Sequence, residues 1–147
     1  MTPALTDANK RVVQRLFHEG MNQGRFELVE QLIAPSFVGA TGERGPSAFV
    51  KVVAGLRAAF PDIHYTLDDV IAEGNRVVVR WTWTGTHRNA YRGFEPTNKQ
   101  VKNTAIAIFE LEGEKLTRAW LENDRLSFLQ AMGAVPEGLG GPPPKVE

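Results

Sequence analysis

Apolar residues near the start of the chain recur every three or four positions. Val12, Val13, Leu16, Phe17 and Met21 fall on one face between Asn9 and Asn22, with Lys10, Arg11, Arg15 and Glu19 between them. That spacing predicts an amphipathic helix. Thr6 or Asp7 is expected to cap its start, and Gly24 to provide the left-handed residue on which the chain leaves it. A second short helix is expected from Phe26 to Ile33. Ala34-Pro35 ends it, because proline disfavours helical geometry in the residue before it and has no amide to donate. Thr41 to Gly45 reads as a loop, after which Pro46 opens a third helix with Phe49, Val50, Val53, Leu56 and Phe60 as its buried stripe. Pro61 stops it.

From here the period falls from nearly four to two. Ile63, Tyr65 and Leu67 alternate with more polar residues, and Val77, Val79, Trp81 and Trp83 alternate with Arg76, Arg80, Thr82 and Thr84. These are strands joined through Glu73-Gly74-Asn75. Two further strands, Gln100 to Leu111 and Lys115 to Glu122, are expected around a hairpin loop at Glu112-Gly113-Glu114. Leu126, Leu129, Gln130 and Met132 indicate a last short helix, and the stretch from Gly138 to Glu147 has almost nothing to bury. Helices first and consecutive antiparallel strands after them make an α+β layout. One domain over residues 1–137, followed by a flexible Gly/Pro-rich tail at 138–147, is the expected organisation.

The composition narrows the function. Seventeen Lys+Arg balance seventeen Asp+Glu in 147 residues, so the one-signed field of a nucleic-acid or membrane-surface binder is missing. With no cysteine, thiolate metal sites, disulfides and thiol nucleophiles are excluded. No apolar run approaches the roughly 20 residues of a membrane span, and no signal peptide is expected at the N-terminus. A cytoplasmic protein is therefore expected. The three histidines, His18, His64 and His87, lack metal-ligand spacing, and no glycine-rich phosphate loop follows a strand. Neither a metal nor an organic cofactor is expected.

Several short pieces then line up in order: Phe60-Pro61-Asp62, Val70-Ile71-Ala72-Glu73-Gly74-Asn75-Arg76-Val77, Gly85-Thr86-His87 and Gly93-Phe94-Glu95-Pro96-Thr97. Lys115-Leu116, Trp120, Asp124, Leu126, Leu129-Gln130 and Gly133 follow, and Ala34-Pro35 precedes Phe37-Val38. In this order the chain resembles the SnoaL-like polyketide cyclases of the nuclear-transport-factor-2-like, or cystatin-like, superfamily, from about Asn9 to Pro136. The resemblance implies a cone-shaped, curved antiparallel sheet wrapped around the N-terminal helix, an apolar pocket between them, and a homodimer or larger oligomer. It also implies a cofactor-independent aldol-type cyclisation of a hydrophobic carbonyl substrate. The same fold hosts epoxide hydrolases, isomerases and non-catalytic binding modules, so the site has to decide.

By that resemblance Asp124, four residues after Trp120, is the general acid/base. A regular strand would set Leu116, Arg118, Trp120, Glu122 and Asp124 on one pocket-lining face. A carboxyl beside an indole is desolvated and its pKa rises, with Glu122 and Arg118 tuning it in opposite directions. Asp is also among the best N-caps, so the same residue is expected to begin the last helix. His87 keeps the phase of Val77 through Trp83 and is the second catalytic candidate, hydrogen-bonding a substrate carbonyl, orienting Asp124, or simply bonding backbone in the following turn. Trp83, Trp120 and Phe37 are expected in the apolar lining, Arg118 and Glu122 in its polar part, and Asn103 and Tyr91 as polar contacts. Asn98 stands where glycine is usual, in a loop from Gly93 to Lys99 expected over the mouth. Gly39, Phe109, Arg118 and Glu122 depart from the family pattern; an inward Arg118 is expected to pair with Glu122 or Asp124 or to bind an anionic ligand group.

Overall fold

The computed structural model describes residues 3–136, so the expected tail lies outside the described residues. The helices are α1 (Pro3–Arg15), continued by a π-helical turn (Leu16–Met21), α2 (Phe26–Gln31), α3 (Gly45–Ala59) and α4 (Arg125–Ala131). The strands are β1 (Ile33–Val38), β2 (His64–Glu73), β3 (Arg76–Thr86), β4 (Gln100–Glu112) and β5 (Lys115–Asn123). They form one curved, open sheet in the order β1-β5-β4-β3-β2, antiparallel except where β1 lies parallel to β5. The α+β layout read from the residues, with the cone-shaped sheet that the resemblance implies, is the fold.

Two helical boundaries differ from expectation. Helix α1 begins at Pro3, whose missing amide is harmless in a first turn, and Thr6 bonds back to the Pro3 carbonyl (2.9 Å) instead of capping. Helix α2 stops at Gln31, and the chain from Ile33 becomes a fifth strand at the sheet edge, where Pro35 costs no ladder bond. At its other end α1 widens into a π turn, with the Asn22 amide donating to the Phe17 carbonyl at 2.9 Å. Gly20 belongs there because a Cβ would lie 2.7 Å from Val29 Cγ2 of α2.

The π turn delivers Phe17 to the concave face of the sheet, against Trp81 (5.1 Å between centroids), Tyr65 (5.9 Å) and Phe109 (6.4 Å). Beneath α1 the cone is therefore packed core, with Val77, Val79, Leu111 and Leu116 also buried. Burial inside this cluster pushes the Tyr65 phenol above its ordinary pKa and keeps it neutral. The free edge of β2 is closed by Asn22, which accepts from the Tyr65 amide (2.7 Å) and donates to its carbonyl (2.9 Å). On the convex side Ile71, Val78, Ile108 and Trp120 form a cross-strand row, with Ile71 61% exposed.

Candidate active site

The site is built where α3 ends against β3. Pro61 halts α3 and Phe60 turns inward, completely buried. The Ala59 carbonyl, left without a helical partner, accepts from the Arg88 and Asn89 amides (3.1 and 3.2 Å), and the Asn89 side chain donates to the Ala58 carbonyl (2.8 Å). Asp62 reaches across to accept from the Thr86 amide (2.6 Å) and hydroxyl (2.8 Å). These bonds hold the Asp62 carboxyl below its ordinary pKa. Phe60-Pro61-Asp62 and Gly85-Thr86-His87 are thus two halves of one clamp. Gly85 suits this close approach, since a Cβ there would sit 3.0 Å from Phe60 Cβ.

The clamp puts His87 inside. Its ring is fully buried and stacks on Phe60 (5.2 Å, 26°), as its phase on β3 predicts. The loop of residues 93–99 doubles back over it: the Asn98 amide donates to the His87 carbonyl (2.8 Å) and the His87 amide to Lys99 (3.0 Å). Asn98 has φ 57, so the expected left-handed geometry is present. The Thr97 amide donates to His87 Nδ1 (3.1 Å), with the Thr97 hydroxyl 3.2 Å away. An Nδ1 that accepts carries no proton, so the neutral ring bears its hydrogen on Nε2. That Nε2 is the buried side-chain polar atom without a hydrogen-bond partner among the described residues. Leaving such a donor unpaired costs about 1–3 kcal/mol.

Phe60, on which His87 stacks, is the centre of an aromatic collar. Phe60 meets Trp83 (5.0 Å), Tyr91 (6.4 Å) and Phe128 of α4 (6.2 Å), and Phe128 also meets Trp83 (6.0 Å) and Tyr91 (5.7 Å). Asn103, buried, lies opposite Trp83 on β4. Phe37 is buried further along, against Phe49 (5.7 Å). His87, Trp83, Tyr91 and Asn103 therefore gather at one end of the cone. Thr97 and Phe128 were not anticipated; the four-residue spacing of Phe128 and Met132 was a readable signal for the latter.

The expected inner face of β5 does not form. Its register passes from Leu111↔Leu116 to Glu110↔Arg118, leaving Thr117 as an extra residue whose hydroxyl donates to the Glu110 carbonyl (3.1 Å). The bulge reverses the phase, so Ala119 turns inward while Arg118, Trp120 and Glu122 face out. Arg118 is not paired with Glu122 or Asp124: its guanidinium lies 4.6 Å from the Trp120 ring centre, and Arg76 lies at 5.1 Å. Asp124 consequently has no indole to desolvate it. It is exposed at the α4 N-cap, where its carboxylate accepts from the Ser127 amide (3.0 Å). Hydrogen bonding from the Ser127 hydroxyl and amide holds the carboxyl below its ordinary pKa, opposite to the expected rise. Its own amide donates to the Thr104 carbonyl (3.1 Å), next to Asn103, so Asp124 stands on the rim of the same end of the cone.

Comparison with known proteins agrees with this fold. The chain matches the family model of the SnoaL-like polyketide cyclases across residues 11–132. Among solved structures, a candidate SnoaL-like polyketide cyclase from Jannaschia sp. CCS1 superposes with a TM-score of 0.81 at 24% identity, covering 92% of this chain and 98% of that one. AclR, a candidate hydroxylase from Streptomyces galilaeus, gives 0.81 at 22% identity over 90% and 85%. A candidate polyketide cyclase from Acidithiobacillus ferrooxidans gives 0.75 at 28% identity over 90% and 98%. No curated protein matches the chain.

Proposed function

Since the chain belongs to the SnoaL-like polyketide cyclase family, we propose that it is an acid–base enzyme closing a ring in a flat, apolar carbonyl compound. The observation that carries this reading is the unpartnered Nε2–H of His87 inside an aromatic collar. Such a donor, fixed in direction by Thr97 and shielded from water, fits a carbonyl oxygen that becomes an enolate. Asp124 is the base. Ionised at neutral pH, it takes the proton α to the carbonyl while the C–H electron pair moves into the enolate. The enolate carbon then attacks a second carbonyl of the same molecule, forming the C–C bond. The resulting alkoxide takes its proton back from Asp124, so no group is consumed. Asn103 and Tyr91 border the same space. Exchange of the α-proton of an aromatic β-ketoester into D2O, followed by NMR, isolates the first step. Wild type is expected to accelerate it, and Asp124→Asn to lose about 10² to 10⁴-fold while still binding. Undiminished acceleration in Asp124→Asn would remove Asp124 as the base, and no acceleration by wild type would leave a hydrophobic-ligand-binding module as the function.

The convex face supports a homodimer. The row Ile71, Val78, Ile108 and Trp120 is apolar, and a surface cavity of about 450 Å³ lies over Ile71, Arg76, Val78 and Ile108. Arg118 has no carboxylate partner among the described residues and Glu122 no cation, so a two-fold related copy can match them. Light scattering is expected to give a dimer for wild type and a monomer for Ile71→Arg; a wild-type monomer would remove this assembly.

A further inference from the structure

The short helix α4 does more than end the fold. It has seven residues, none of them fully buried, too few to be stable by hydrogen bonding alone. It is held by the Asp124 cap at its start, the ring of Phe128 in the collar, Met132 buried in the core at its C-cap, and the Ala134 amide bond to the Leu129 carbonyl (2.9 Å) after its end. Behind its last turn a cavity of about 490 Å³ separates Gln130, Ala131 and residues 133–136 from Thr97 and Lys99. The helix therefore leans on the sheet through Phe128 at its middle and Met132 just past its end, with open space beside its last turn.

Phe128 contributes only a ring to this end of the cone. It packs on Phe60, Trp83 and Tyr91, with Phe60 in turn stacked on His87, and it brings no acceptor to the unpaired Nε2–H. A flat ligand with a carbonyl oxygen provides both the ring and the acceptor. Phe128 also lies one helical turn from Asp124: its amide bonds the Asp124 carbonyl at 3.2 Å, and the Asp124 carboxylate is tied to Ser127 in that same turn. The Asp124 amide, by contrast, is fixed to β4 through Thr104. A movement that draws Phe128 out must unwind the first turn of α4 about this anchored residue, and that frees the carboxylate.

We propose that α4 is a displaceable plug: Phe128 occupies the seat of a flat aromatic ligand among Phe60, Trp83 and Tyr91, and the ligand takes that seat by displacing it, uncapping Asp124 in the same movement. The proposal rests on the reading of this end of the cone as the ligand site. It makes Phe128 a gate, not a catalytic residue, and it links occupancy of the seat to release of the base.

The test uses 2-acetonaphthone, a flat aromatic ketone, as the probe. Its dissociation constant is measured by tryptophan quenching, the His87 Nε2–H resonance by NMR, and the amide exchange of residues 125–132 by mass spectrometry. Phe128→Ala is expected to bind the probe at least about tenfold more tightly than wild type and Phe128→Leu to fall between, with thermal melts confirming that both fold. In wild type the probe is expected to speed exchange across α4. Equal affinity in folded Phe128→Ala, or wild-type binding that leaves α4 exchange unchanged or slower, would overturn the plug. Tighter binding with an unmoved His87 resonance would uphold the plug and remove His87 as the carbonyl donor, so the two readings fail separately.

Discussion

Strands β3 and β5 both alternate in sequence, yet only one keeps its phase. β3 pairs with β4 without interruption from Arg76↔Glu110 to Thr86↔Gln100, and its inward residues run unbroken from Val77 through Trp83 to Gly85, with His87 continuing the phase. β5 keeps its phase only at Leu116; one added residue, Thr117, turns every later side chain over. The consequence falls on chemistry. At the end of β3 a histidine is delivered into a dry aromatic collar, whereas at the end of β5 an aspartate is delivered to the solvated rim. The two tryptophans show the same contrast: Trp83 is 6% exposed in the interior, while Trp120 lies half-buried on the convex face between two guanidiniums.

The largest expected difference follows from those two residues. Trp83→Ala removes a ring wedged between Phe60 and Phe128 and is expected to cost about 3–5 kcal/mol in urea unfolding. Trp120→Ala loses half-exposed area and two cation–π contacts, and is expected to cost about 1 kcal/mol in the monomeric background of Ile71→Arg. Equal costs would mean that Trp120 is core after all, and the bulge would have to be abandoned.

Deleting Thr117 attacks the bulge itself. Without the extra residue β5 becomes regular but keeps Ala119 inward and Trp120 outward, so only the hydroxyl bond to Glu110 and local relaxation are lost. The deletion is expected to cost about 1 kcal/mol. NOEs from the Trp120 indole to its outer-face neighbour Ile108 are expected to persist. Their replacement by contacts to the interior would show that phase, not the bulge, had been set by Thr117.

The same residues explain how much the chain disclosed before its structure. Helical stripes and two-residue alternation placed α1, α3 and four strands, because burial on one side forces those periods. His87 and Asn98 were legible too, one from the phase of an uninterrupted strand, the other from the few residues that accept positive φ. Strand β1 was hidden because Pro35 reads first as a helix stop, and its role as an edge-strand residue depends on a partner, β5, some eighty positions away. Arg118, Trp120 and Glu122 were set on the wrong face because a bulge leaves no composition signal at Thr117. The inward side of Phe128 was readable from its spacing to Met132, whereas the bonding of Thr97 to His87 depends on a loop conformation that no local pattern encodes.

The smallest effects concern the aspartates beside the ends of the two strands. Asp62 ties α3 to β3 across twenty-four residues, whereas Asp124 caps only the turn that follows it. Both carboxyls lie below their ordinary pKa, Asp62 through the Thr86 amide and hydroxyl, Asp124 through the Ser127 hydroxyl and amide. A depressed carboxyl stabilises the fold above the unfolded-state value, about 3.9, and that contribution is lost as pH falls through the lower folded-state value. Both groups are exposed, so the electrostatic part is screened. Asp62→Ala is expected to cost about 1 kcal/mol at pH 7 and to flatten the decline in stability below about pH 4. Asp124→Ala is expected to speed amide exchange in residues 125–132 and to leave the global stability within about 0.5 kcal/mol of wild type, because the turn it caps belongs to a short helix with no fully buried residue. A global loss in Asp124→Ala as large as that in Asp62→Ala would make α4 an integral wall of the cone, and would erase the distinction between a strand that ends in the core and one that ends at its door.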